Sequence, residues 1–92
     1  MFTVLDRTDR QSTERIAAVV RKLLAKRGID RAIGDDDDLT KIGLSSLDIV
    51  NLMLSVESEF GIAVPERKMV PSNFRSLARI DALVRSLSDQ KQ

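Results

Sequence analysis

The chain has 92 residues and contains neither cysteine nor histidine, which removes disulfides, thiol and imidazole catalysis and most metal-site patterns. Its net charge of +1 gives no overall bias toward nucleic acid or a membrane surface. With 42% hydrophobic residues but 3% aromatic ones, the core must be Leu, Ile and Val, which favours packed helices over a β-sandwich. A domain this small has little room for a cleft, so the chain reads as a non-enzyme whose reactive group, if it has one, is added to it.

Residues 1–7 read as a flexible tail, 8–88 as a single domain and 89–92 as a C-terminal tail. The first ten residues lack the apolar segment of a secretory signal. No apolar run approaches the roughly 20 residues that cross a bilayer. The expected location is the cytoplasm.

A first helix is predicted to begin between Thr8 and Thr13, where Thr8 with Gln11 fits a capping box. Ile16, Val19, Val20, Leu23 and Leu24 then make one apolar stripe, and Gly28 is its stop. Its basic residues, among them Arg21, Lys22, Lys26 and Arg27, read as a solvated face, because neither helix-turn-helix spacing nor interleaved aromatics accompany them. Residues 29–45 form a long loop, expected to be pinned by Ile29, Ile33, Leu39, Ile42 and Leu44. The acids Asp35 to Asp38 are consecutive rather than alternating and lack a calcium loop's glycine and distal glutamate. They read as solvated, with Asp38 placed to cap a short turn.

A second helix is predicted over 46–60, with Leu47, Val50, Leu54 and Phe60 on one stripe and Ile49, Leu52, Met53 and Val56 broadening it. Gly61 ends it. A short helical turn over 66–70 is broken by Pro71, and a last helix runs from Asn73 or Arg75 to Ser88 with the stripe Leu77, Ile80, Leu83, Val84 and Leu87. The fold class is all-α, a small four-helix bundle, three long and one short, with a long loop between the first two long helices.

The informative segment is Gly43-Leu44-Ser45-Ser46-Leu47-Asp48. Ser45 suits an N-cap, and Asp48 three residues on completes a capping box. That puts Ser46 at the first helical position, its hydroxyl exposed beside free N–H groups at the positive end of the helix dipole, a favourable field for a phosphodiester. Any well-capped helix shows this local pattern.

The wider pattern resembles the acyl carrier protein family, which includes acyl, peptidyl and aminoacyl carriers. Gly43 to Asp48 resemble that family's Asp-Ser-Leu signature at the start of a helix. Val50, Leu52, Glu57, Glu59 and Phe60-Gly61-Ile62 continue it, then Val64-Pro65, and Phe74 with Ser76, Leu77 and Ile80 resembles the start of its last helix. The resemblance implies a fold of that family's kind and 4′-phosphopantetheine on Ser46, placed from coenzyme A by a phosphopantetheinyl transferase. A ligase or acyltransferase would load cargo as a thioester for a downstream synthase of lipid, polyketide or nonribosomal peptide biosynthesis. The expected carrier is free-standing and monomeric, and binds neither nucleic acid nor membrane.

Leu47, Asp48, Asn51, Met53 and Glu57 are the expected partner-binding residues. Ser45 replaces the family's usual Asp, and Asn51 and Ser58 stand where many members have acids. With only Asp48, Glu57 and Glu59 left on this helix, a specialised carrier is expected, met by its partner through a more apolar contact that Ile49, Met53 and Leu54 would supply. An acyl chain could be sheltered among Val50, Leu54, Ile62, Leu77 and Ile80, whereas an aminoacyl group would stay outside. The alternative is an unmodified interaction domain of the same fold that docks through the same helix.

Overall fold

The structure, a computed structural model, describes the backbone of residues 2–90 and the side chains of residues 11–87. The chain forms α1 (Phe2–Lys26), α2 (Leu39–Ile42), α3 (Ser46–Phe60) and α4 (Leu77–Gln90), with 3-10 turns at Glu66–Lys68 and Pro71–Phe74 between the last two. It is an all-α bundle of three long helices around one aliphatic core.

Helix α1 buries Ile16, Ala17, Val20, Leu23 and Leu24. It starts earlier than its cap signals suggest. Phe2 to Arg7, within the expected tail over residues 1–7, are helical, and Met1 lies outside the described residues. Residues 2–7 contain no Gly or Pro, so nothing in them stops the helix, and Thr8 sits inside it rather than capping it. The helix ends in a Schellman motif: the Gly28 N–H donates to the Ala25 carbonyl and the Ile29 N–H to the Leu24 carbonyl, both at 3.0 Å.

The long loop is pinned as its apolar residues predict. Leu39 and Leu44 are buried, and Ile29, Ile33 and Ile42 pack on the core. It also contains α2, the short turn expected after Asp38. Asp38 caps that turn, its carboxylate accepting from the Thr40 N–H at 3.0 Å and from the Thr40 hydroxyl at 2.6 Å. Two backbone bonds fasten the loop near the start of α4, Leu39 N–H to the Arg75 carbonyl at 2.8 Å and Ala78 N–H to the Asp35 carbonyl at 3.0 Å.

Helix α3 reverses part of the predicted stripe. Ile49, Leu52, Met53 and Val56 face the core, while Leu47, Val50 and Leu54 are exposed. Glu57 reaches past the helix end and accepts the Val64 N–H at 2.8 Å, which steers the chain after Gly61 back onto the core. Pro71 opens a 3-10 turn rather than breaking one, since its fixed φ suits a first helical position. Phe74 in that turn is fully buried.

Helix α4 begins at Leu77, later than expected. The Ser76 hydroxyl, just before it, accepts from the Arg79 N–H at 3.3 Å. All five residues of its predicted stripe are buried. The helix continues to Gln90, so the C-terminal tail expected over 89–92 is helical at its first two positions, and Lys91 and Gln92 lie outside the described residues.

Two glycines make a test of this packing. Gly61 is left-handed (φ 64°) with open space around it, whereas Gly43 has φ 146° and a Cβ there would collide with Ile29 Cδ1. Gly61→Ala should cost about 1 kcal/mol through backbone conformation alone. Gly43→Ala adds a core collision and should cost about 2 kcal/mol or more. Urea midpoints of the two variants check the order.

Candidate functional site

The site is the start of α3. Ser45 is extended (φ −84°, ψ 173°), and its hydroxyl accepts from the Asp48 N–H at 3.2 Å. In return Asp48 Oδ2 accepts from the Ser45 N–H at 2.9 Å. This is the capping box expected from the sequence, and Ser46 stands at the first helical position, exposed. Ser45 does the capping work that the family's Asp would do, and the hydroxyl of Ser46 is left outside the box.

One member of the site is not legible in the sequence. Arg27, just past the end of α1, lays its guanidinium across the box. Nε donates to Asp48 Oδ2 at 2.8 Å and Nη2 to the Ser45 hydroxyl at 3.2 Å. The sequence marks Arg27 only as a cation near a helix C-terminus. Its partner lies 21 residues away, and no local spacing connects the two. The Arg27 hydrogen bond, followed by the Ser45 N–H bond, lowers the Asp48 pKa to about 2. The same contact raises the Arg27 pKa.

The expected partner residues divide. Leu47 and Asn51 are exposed close to Ser46. Asp48 is buried and bonded to Arg27 and Ser45. Met53, with Ile49, is buried in the core on the inward side of α3. Glu57 is half-buried and holds Val64. The third acid of α3, Glu59, is paired with Arg15, whose Nε donates to Glu59 Oε2 at 2.9 Å and whose guanidinium lies 4.4 Å from the centre of the Phe60 ring. All three acids of the helix therefore have internal partners. The outer face of α3 is a stripe of Leu47 (67% exposed), Val50 (46%) and Leu54 (54%), bordered by the neutral Asn51 and Ser58. Leu54 is the only one of the three expected apolar contacts to lie outside. Val50 and Leu54 are about half exposed, whereas Ile62, Leu77 and Ile80 are buried in the core.

Among the described residues no group of acids is placed to hold a metal ion, and no helix is long and apolar enough to cross a membrane.

Two predictions follow from the box. Ser45→Ala should cost about 1 kcal/mol in chemical denaturation. The second concerns acid. A carboxylate whose folded pKa is depressed contributes fully above its unfolded value, about 3.9, and loses that contribution as pH falls toward the folded value of about 2. Between about pH 4 and 2, the urea midpoint of the wild type should fall more steeply than that of Asp48→Asn.

Comparison with known proteins bears on this geometry. Residues 14–84 match the family described as "Phosphopantetheine attachment site". The chain is 37% identical over 70 residues to aminoacyl carrier protein 2 of Bradyrhizobium diazoefficiens, covering 76% of this chain and 79% of that one. It is 36% identical over 80 residues to the aminoacyl carrier protein of Agrobacterium fabrum, covering 82% of this chain and 95% of that one. In three dimensions it resembles a chain in the crystal structure of Bradyrhizobium japonicum glycine:[carrier protein] ligase complexed with glycylated carrier protein. The TM-score is 0.71 at 30% identity, over 78% of this chain and 96% of that one. A second complex of that ligase, with its cognate carrier protein and an analogue of glycyl adenylate, gives 0.73 at 31% identity, over 82% and 96%.

Proposed function

The chain belongs to the phosphopantetheine-binding carrier protein family, and on that premise we propose that Ser46 bears the phosphopantetheine arm and that the cargo is an amino acid held as a thioester. The carrier is itself non-catalytic. A phosphopantetheinyl transferase installs the arm, whose thiol supplies the nucleophile that a cysteine-free chain lacks. A ligase of the kind seen with its structural relatives activates the amino acid and loads it. The loaded arm then swings to the next enzyme.

The observation that carries the reading is the position of Ser46. It is an exposed hydroxyl at the first position of a 15-residue helix, beside a serine already engaged as cap. The positive end of α3 favours a phosphodiester there. The aminoacyl assignment is supported by the relatives, and by Val50 and Leu54 facing outward instead of lining a shelter for an acyl chain. The exposed stripe Leu47, Val50 and Leu54 is the docking face, and its lack of free acids suits an apolar contact with a dedicated ligase.

Incubation with coenzyme A and a phosphopantetheinyl transferase, followed by intact mass measurement, tests the attachment. The wild type and Ser45→Ala should each gain one phosphopantetheine, and Ser46→Ala none. No gain in the wild type favours an unmodified interaction domain docking through α3, and an equal gain in Ser46→Ala moves the attachment elsewhere. For cargo, the modified chain with ATP, glycine and the Bradyrhizobium ligase should form a hydroxylamine-labile glycyl adduct. A modified chain that accepts fatty acyl groups but no amino acid sinks the aminoacyl assignment.

A further inference from the structure

Two helix ends meet at one side chain. Arg27 directly follows α1, and its backbone is fixed because the Schellman bonds of Gly28 and Ile29 close around it. Its guanidinium therefore starts from a rigid base. It reaches α3 and donates to both side chains of the capping box, Asp48 at 2.8 Å and Ser45 at 3.2 Å. Ser46 lies between those two residues in the chain.

The Asp48 side chain is only 10% exposed. A carboxylate this sheltered needs a countercharge, and removing one partner of such a pair leaves the other uncompensated. Without Arg27 the carboxylate has two ways out. It can take up a proton, which weakens its hold on the Ser45 N–H, or it can turn toward water, which ends that hold. In both cases the box opens and the first turn of α3 frays, and that turn contains Ser46.

We propose that Arg27 is a positioning residue for the modification of Ser46. By holding the box shut it fixes the direction in which the Ser46 hydroxyl meets the phosphate donor. This inference rests on the reading of Ser46 as the attachment site. In the transfer from coenzyme A, Ser46 Oγ forms a bond to the phosphorus that bears the pantetheine. The bond from that phosphorus to the bridging pyrophosphate oxygen breaks, adenosine 3′,5′-bisphosphate leaves, and the serine proton passes to a base on the transferase. Such a displacement needs the attacking oxygen in line with the leaving one, so a loosened hydroxyl reacts more slowly without docking more weakly.

The experiment compares Arg27→Gln with Arg15→Gln. Arg15 pairs with Glu59 at the other end of α3, with a side chain of similar exposure. Transferase kinetics are measured with the full chain as substrate, at a temperature where both variants are folded by circular dichroism. Arg27→Gln should lower kcat by about tenfold while the KM for the carrier stays within about twofold. Arg15→Gln should leave both near wild type. Amide hydrogen exchange at Ser45 and Asp48 should accelerate in Arg27→Gln alone. A wild-type kcat in Arg27→Gln, a loss confined to KM, or an equal loss in Arg15→Gln overturns the proposal. A wild-type chain that takes no phosphopantetheine sinks the Ser46 reading itself, which is a different result from a modified wild type with an equally fast Arg27→Gln.

Discussion

The ion pair between Arg27 and Asp48 is the constraint from which the rest of the site follows. It joins a helix C-terminus to a helix N-terminus, where unsatisfied carbonyls and N–H groups would otherwise face each other with opposite polarity. The cation stands at the negative end of α1 and the carboxylate at the positive end of α3, so each charge is favoured by its own helix before the two meet. The pair then adds a charge-assisted bond of 2.8 Å. Asp48 can be buried because its lone pairs face a guanidinium and a backbone N–H. Ser45 can cap because Asp48 holds its backbone. Ser46 is left outside because its neighbours have taken every partner the box offers.

That arrangement also accounts for the surface. Carriers that steer toward basic enzymes leave acids free along this helix, and here each acid has an internal task. Asp48 closes the box, Glu57 holds Val64 and Glu59 pairs with Arg15. The exposed part of α3 is then apolar, formed by Leu47, Val50 and Leu54. A partner that met such a face would be held by shape and desolvation more than by long-range attraction, with little dependence on salt. A carrier with one dedicated loading enzyme can work this way, whereas one serving many enzymes gains more from electrostatic steering.

Much of this was legible in the sequence because it is local. The capping box is a pattern over four residues, and Ser45, Ser46 and Asp48 took the places that pattern assigns them. The stripe of α4 is periodic, and all five of its residues are buried. What could not be read depends on tertiary placement. The apolar arc of α3 is wide, and periodicity alone does not say which side of a wide arc meets the core. Met53 and Leu54 are neighbours in the chain and fall on opposite sides of that boundary. Arg27 and Asp48 are joined across a loop that no local rule spans. The early start of α1 is a third kind of miss. Thr8, Ser12 and Thr13 carry cap propensity, but propensity yields wherever the preceding residues permit a helix to continue.

Arg15 of α1 and Arg27 just past its end act as a pair. Arg15 and Arg27 are 12 residues apart, a rise of about 18 Å along a helix. Their partners Glu59 and Asp48 are 11 residues apart on α3 and run in the opposite order, so the helices are antiparallel and their register is fixed near both ends of α3. Slippage of one helix along the other would break both contacts together, whereas a single pair would allow rotation about its own contact. A carrier gains from this because its cargo moves while its body must not. The arm of a carrier visits the active sites of successive enzymes, and the point from which it swings must be the same each time. Clamping α3 at both ends holds its outer face rigid.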